Sequence, residues 1–228
     1  MAITTEPPAP RAASNREGRR QRREQAREQV MRSALELSEQ ASFRDLTVDE
    51  IARAAGLSRS AFYTHFRDKH ELLLAAVEQV AEELYRMADR WWRGEGPPAE
   101  RVRRALEGVV AVYAEHAPVL RLATEVSTYD DEMRAVWIGI VDRFIAATAD
   151  HIRSEQRQGL IPATLEPQAT AEGLVWMNER CSYIYLARGD RTPQELVAAM
   201  APVWTAALYP GLNPGGAASS LRNQRKSR

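Results

Sequence analysis

Twenty consecutive residues constrain this chain more than any others: Thr47 to Phe66, reading TVDEIARAAGLSRSAFYTHF. Thr47-Val-Asp-Glu50 has the form of a capping box, in which the threonine hydroxyl accepts from the Glu50 amide while the glutamate carboxylate reaches back to the cap. A short helix therefore starts at Thr47. It ends at Gly56, the residue type that tolerates the positive φ of a helix C′ position, and Ser58 follows as the next N-cap. Two short helices joined by a three-residue turn are implied, crossing steeply, with Ile51, Leu57 and Phe62 as the apolar lock between them. Ala52 and Ala55 are small where the helices approach most closely.

That arrangement presents Ser58 to Phe66 as an exposed second helix of a shape that enters a DNA major groove. Its outward residues Arg59, Ser60, Tyr63, Thr64 and His65 are donors or aromatics, suited to phosphates, base edges and thymine methyls. Lys69, at the start of the following helix, is placed to add a backbone contact. The charge distribution agrees with such a partner, although 31 basic and 31 acidic residues give a net charge of zero. The zero is a sum over unlike segments: Arg11 to Arg27 holds seven arginines against Glu17 and Glu24, and the last eighteen residues hold four basic residues and no acid. A basic arm is expected at the N-terminus, serving as a minor-groove or phosphate contact or simply as a solvated face.

The remaining segments are helical in period. Ala26, Val30, Met31, Ala34 and Leu35 recur at threes and fours, and Asp68 caps a long helix through Leu72, Val77, Val80, Leu84 and Trp91. Further helices carry Val102 to Tyr113, a short piece after Pro118, Met133 to Ile152 behind the acidic run Asp130-Asp131-Glu132, and Leu174 to Ile184 behind Pro167. Thr192-Pro-Gln-Glu195 opens the last one, with Pro193 at N1. No alternating β-branched run bounded by hairpin turns occurs, so the fold class is all-α with about nine helices. Four regions follow: a disordered basic arm over 1–20, a helix-turn-helix domain over 21–68, a helical regulatory domain over 69–210, and a disordered basic tail over 211–228.

Several functional classes are disfavoured. One cysteine, Cys181, supports neither an intramolecular disulfide nor a cysteine zinc site. His65 has no second ligand or nucleophile at suitable spacing, so no metal, cofactor or catalytic residue is expected. There is neither an apolar span long enough for a bilayer nor an apolar signal region near the N-terminus, and a cytoplasmic location is expected.

The segment around Phe62-Tyr63, His65-Phe66 and Lys69 closely resembles the TetR family of transcriptional regulators over roughly residues 24–75. The family pattern has a Thr cap, Ile-Ala, Ala-Gly-Leu-Ser, an aromatic-Tyr pair, His-Phe, and a Lys three residues later. The resemblance implies operator contacts at Thr47, Ser58, Ser60, Tyr63, His65 and Lys69, beside the outward Arg59 and Thr64. Trp176-Met-Asn-Glu-Arg180 and Val203-Trp-Thr-Ala-Ala-Leu-Tyr209 are similar to the ethionamide-resistance-repressor branch of that family. That likeness implies a helical domain with an apolar ligand tunnel and dimerisation through the last two helices. The implied ligand contacts are Val109, Tyr113, Trp137, Phe144, Thr148, Met177, Asn178, Tyr183 and Trp204. Relatives line the tunnel with more aromatics, whereas Val102, Val109 and Phe144 here are smaller or less polar, so a different effector is expected.

What the resemblance implies is a homodimeric repressor of double-stranded operator DNA, released from a palindrome by a small apolar effector. The helix from Asp68 to Trp92 would link the two domains and carry the coupling. The competing reading is an all-α hydrophobic-ligand carrier or enzyme that retains the helix-turn-helix. It lacks a positioned nucleophile, carboxylate pair or phosphate loop.

Overall fold

The structure is a computed structural model and describes residues 11–92, 94–187 and 189–212. Among these, nine α-helices and a short 3-10 helix occur and no strand: α1 (Arg11–Ser38), α2 (Val48–Ala54), α3 (Arg59–Tyr63), α4 (Lys69–Trp92), α5 (Pro98–Glu115), α6 (Ala117–Val126), α7 (Asp131–Arg157), α8 (Pro167–Ala187), α9 (Pro193–Leu208) and the 3-10 turn Pro210–Leu212. The chain divides into two compact units, Met1–Leu73 and Leu74–Arg228, and the division falls inside α4.

In the first unit the core is built from one side of each short helix. Val30 and Ala34 of α1, Ile51 and Ala52 of α2, Phe62 of α3, and Phe43, Phe66, Leu72 and Leu73 are all buried. Both halves of the capping box form: the Thr47 amide donates to Glu50 Oε2 at 2.8 Å and the Glu50 amide donates to Thr47 Oγ1 at 3.3 Å. Gly56 has φ +70°, and the amides of Leu57 and Gly56 donate to the carbonyls of Ala52 and Arg53. These two bonds make a Schellman motif, which a side chain at position 56 would strain. The α-helical part of the second helix is shorter than expected, Arg59–Tyr63, because Thr64 and His65 close a tight turn through bonds to Ala61 and Phe62.

One expectation fails at the N-terminus. Residues 11–20, read as irregular, are helical and continue α1 by more than two turns. Four arginines and two alanines, both strong helix formers, make up most of the segment, so local propensity extends a helix already nucleated by the buried turn at Val30–Ala34. Residues 1–10 and 213–228, which hold the rest of the expected arm and tail, lie outside the described residues.

In the second unit α5 packs most extensively on α9 and α7 on α8. Asp130 caps α7 by accepting from the Met133 amide at 2.8 Å, and Thr192 and Glu195 form a second complete capping box at α9. The C-terminal end of the fold is tied by a buried polar knot. Glu155 of α7 accepts hydrogen bonds from Arg101 of α5 and from the Tyr209 hydroxyl just beyond α9, and His151 Nε2 lies 3.4 Å from Glu155 Oε1. His116 Nε2 approaches Glu83 Oε2 at 3.2 Å, joining the end of α5 to α4.

Candidate functional site

Two candidate sites stand one in each unit. In the first, the α2–turn–α3 geometry leaves Thr47, Ser58, Arg59, Ser60, Tyr63 and Thr64 exposed, with Tyr63 at 46%. Thr47 and Ser58 are occupied as caps, Ser58 Oγ accepting from the Ala61 amide at 3.1 Å. Arg59 donates to Asp49 at 2.9 Å and to the Tyr63 hydroxyl at 3.3 Å, which holds the two side chains together on the outer face of α3. Both partners are solvent-exposed, so the ion pair is weak and a phosphate can displace the aspartate. His65 is half-buried; burial depresses its pKa and the nearby Arg23 and Arg27 depress it further, which favours the neutral imidazole at pH 7.

Lys69, expected as a backbone contact to DNA, is engaged within its own unit. Its ammonium donates to three loop carbonyls, Phe43 at 2.8 Å, Arg44 at 2.7 Å and Leu46 at 2.7 Å, and lies 5.3 Å from the centre of the Phe43 ring. An ammonium has three donors, and all three are taken. Lys69 fastens the loop before Thr47 and so positions the capping box. Sequence reasoning also missed Arg27, which donates to the His65 carbonyl at 2.7 Å while its guanidinium sits 4.3 Å over the Phe66 ring. It clamps α1 against the end of α3. Within the same basic run, Arg19, Arg20, Arg22 and Arg23 stay exposed along α1.

In the second unit, residues of α4, α5, α7, α8 and α9 line a partly open cavity of about 70 Å³. Of the expected residues, Val109, Tyr113, Trp137, Phe144, Thr148, Asn178 and Trp204 line it. Met177 and Tyr183 do not. On α8 the cavity is faced by Val175, Asn178 and Glu179; at about 100° per residue Met177 points away from that stripe. Tyr183 lies one turn beyond Glu179, where the Arg180 guanidinium sits 5.4 Å over its ring. The walls also take Leu84 and Ala88 from α4, Val102, Ala105 and Leu106 from α5, and Ile140 and Val141 from α7. These are small or aliphatic residues that no polar signal distinguishes from plain core. Glu179 is different: it is a buried acid in the cavity wall, and burial raises its pKa against the lowering effect of Arg180. Burial raises the Tyr113 phenol as well, with the Glu179 charge adding to it.

Residues 30–76 match the model of bacterial regulatory proteins of the tetR family, and residues 102–210 match the model of the C-terminal domain of transcriptional regulator EthR. The chain is 31% identical over 196 residues to the HTH-type transcriptional regulator EthR of Mycolicibacterium smegmatis, a match covering 83% of this chain and 88% of the relative. The chain belongs to the TetR family. The EthR of Mycobacterium tuberculosis is a more distant relative, 25% identical over 191 residues and covering 79% of this chain and 85% of its own. Among solved structures, a TetR-family regulator of Syntrophomonas wolfei superposes with a TM-score of 0.69 at 15% identity, covering 81% of this chain and 95% of that one. A regulatory protein TetR of Rhodobacter sphaeroides reaches 0.63 at 24% identity, covering 80% and 98%. At these identities the structural likeness establishes the fold alone. The sequence matches carry the function: this TetR-family chain is a DNA-binding transcriptional regulator of the repressor type. No helix among the described residues is long and apolar enough to cross a membrane.

Proposed function

We propose that the protein is a homodimeric repressor that binds a palindromic operator through α3 and is released when a small apolar effector enters the cavity of the second unit. The observation that carries this reading is the combination of an exposed, doubly capped α2–α3 pair with a separate, predominantly apolar cavity in one chain. Arg59, Ser60, Tyr63 and Thr64 supply the groove face; Thr47 and Ser58 hold the backbone in register, and their caps leave the remaining N-terminal amides of α2 and α3 available to phosphate. Lys69 and Arg27 act by positioning. The exposed arginines of α1 extend the basic surface on the DNA side of the same unit.

Dimerisation is supported by α8 and α9. Trp176, Met177, Tyr183, Ile184 and Leu186 on α8 remain half-exposed in the single chain, and Val203 on α9 is 48% exposed. An apolar surface of this kind on one helix pair fits a two-fold interface, which would present two α3 helices to successive major grooves about 34 Å apart. Selection of bound sequences from a random duplex pool at near-physiological salt is the test. Enrichment of a palindrome is the expected result, and a folded dimer that enriches no sequence would remove the operator reading in favour of a hydrophobic-ligand carrier.

A further inference from the structure

The cavity wall is apolar except where Tyr113, Thr148, Asn178 and Glu179 reach it, together with the indole of Trp204. Glu179 stands out among them. It is 3% exposed, and neither carboxylate oxygen has a hydrogen-bond partner among the described residues. The nearest cation, Arg180, holds its Nε 3.6 Å from Glu179 Oε2, too far for a hydrogen bond, and its guanidinium is engaged over the Tyr183 ring. The neighbouring Asn178 Oδ1 also lacks a partner.

The same unit shows that an acid can be buried here with full compensation. Glu155 is as deeply buried and is met by Arg101, His151 and Tyr209. Buried polar groups are satisfied almost without exception in folded proteins, so an acid left open on a cavity wall points to a group supplied from outside. A carboxylate accepts and cannot donate, and it carries charge; its complement is therefore a cationic N–H donor.

We propose that the effector is an apolar molecule bearing a protonated amine, with Glu179 as the counter-charge and the aliphatic and indole walls of the cavity taking the rest. This rests on the cavity being the effector site. The ammonium donates to the Glu179 carboxylate and to the Asn178 amide oxygen beside it, and Trp137 and Trp204 add aromatic surface suited to a cation or a flat apolar group.

The test compares phenylbutylamine with phenylbutanol, equal in tail and length, by isothermal titration calorimetry on the full chain at neutral pH. The unmodified protein is expected to bind the amine at least about tenfold more tightly than the alcohol. Glu179→Gln, checked for helix content by circular dichroism, is expected to bind the two within about twofold of each other. Equal affinities in the unmodified protein, or a preference for the amine that survives Glu179→Gln, would overturn the proposal while leaving the cavity as the effector site. Failure of both probes to bind the unmodified protein would overturn the cavity reading and this proposal together. The selectivity of the unmodified protein is read without any variant, so a poorly folding variant does not shield the idea.

Discussion

Two glutamates buried in one helical unit differ in what surrounds them, and their titrations should differ in sign. Burial pushes the Glu155 carboxyl up, but hydrogen bonds from His151, Tyr209 and Arg101 outweigh it and hold the pKa at about 2. A folded-state pKa below the unfolded value means that the stabilisation is present above pH 4.5 and is lost as the pH falls toward 2. Glu155→Gln should therefore cost about 3 kcal/mol at neutral pH, because Arg101 is left without its counter-charge, and the deficit should shrink in acid. For Glu179 the order is reversed: burial raises the folded-state pKa, so the ionised side chain penalises the fold increasingly as pH rises above the unfolded value. Glu179→Gln should stabilise the protein by about 1–3 kcal/mol near pH 7, with the gain closing below pH 4.5. Thermal unfolding of both variants at neutral and acid pH reads the two signs directly. A gain for Gln at position 155, or a loss at position 179, would contradict the assignment of which acid the fold satisfies.

The elements that the sequence announces best are those whose signals are local. Thr47 with Glu50, Gly56, Ser58, and Thr192 with Glu195 each act within five residues of themselves, and every one forms as read. The start of α1 was not legible, because its N-terminal turns carry no apolar period and depend on propensity alone. The anchoring role of Lys69 was hidden for the opposite reason: its three carbonyl partners lie 23 to 26 residues away, a contact that spacing cannot express. Half of the cavity was hidden likewise, since Ala88, Ala105 and Val141 look like core until α4, α5 and α7 are assembled. Two variants separate presentation from contact. Tyr63→Ala should weaken operator binding by about 1–3 kcal/mol with helix content unchanged, as expected of an exposed side chain that meets DNA. Lys69→Met should lower the melting temperature of the protein, because three carbonyls lose a charged donor, yet leave the salt dependence of operator binding as it was. A phosphate-contacting lysine would instead reduce the slope of log affinity against log salt by about one. Measuring that slope below the melting temperature decides between the two roles.

At the scale of the molecule, the sites belong to separate compact units, and α4 is the helix within which the chain passes from one to the other. Leu84 and Ala88 of that helix line the cavity, and Lys69 at its first residue holds the loop that carries the α2 cap. A ligand pressed against Leu84 and Ala88 therefore touches the same continuous element that begins beside the capping box. If effector release works through it, the two binding events share one coupling free energy, and linkage requires that it be reciprocal. Saturating the cavity with an effector should lower operator affinity by some factor, about 5- to 150-fold for couplings of ordinary size, and saturating operator DNA should lower effector affinity by the same factor. Titrating operator with and without effector, then effector with and without operator, measures the factor twice on one preparation. Equal factors above one would establish that the cavity and α3 bias a common two-state equilibrium. A factor of one in both directions would mean that the cavity ligand binds both states alike, and that control of the operator enters the protein elsewhere.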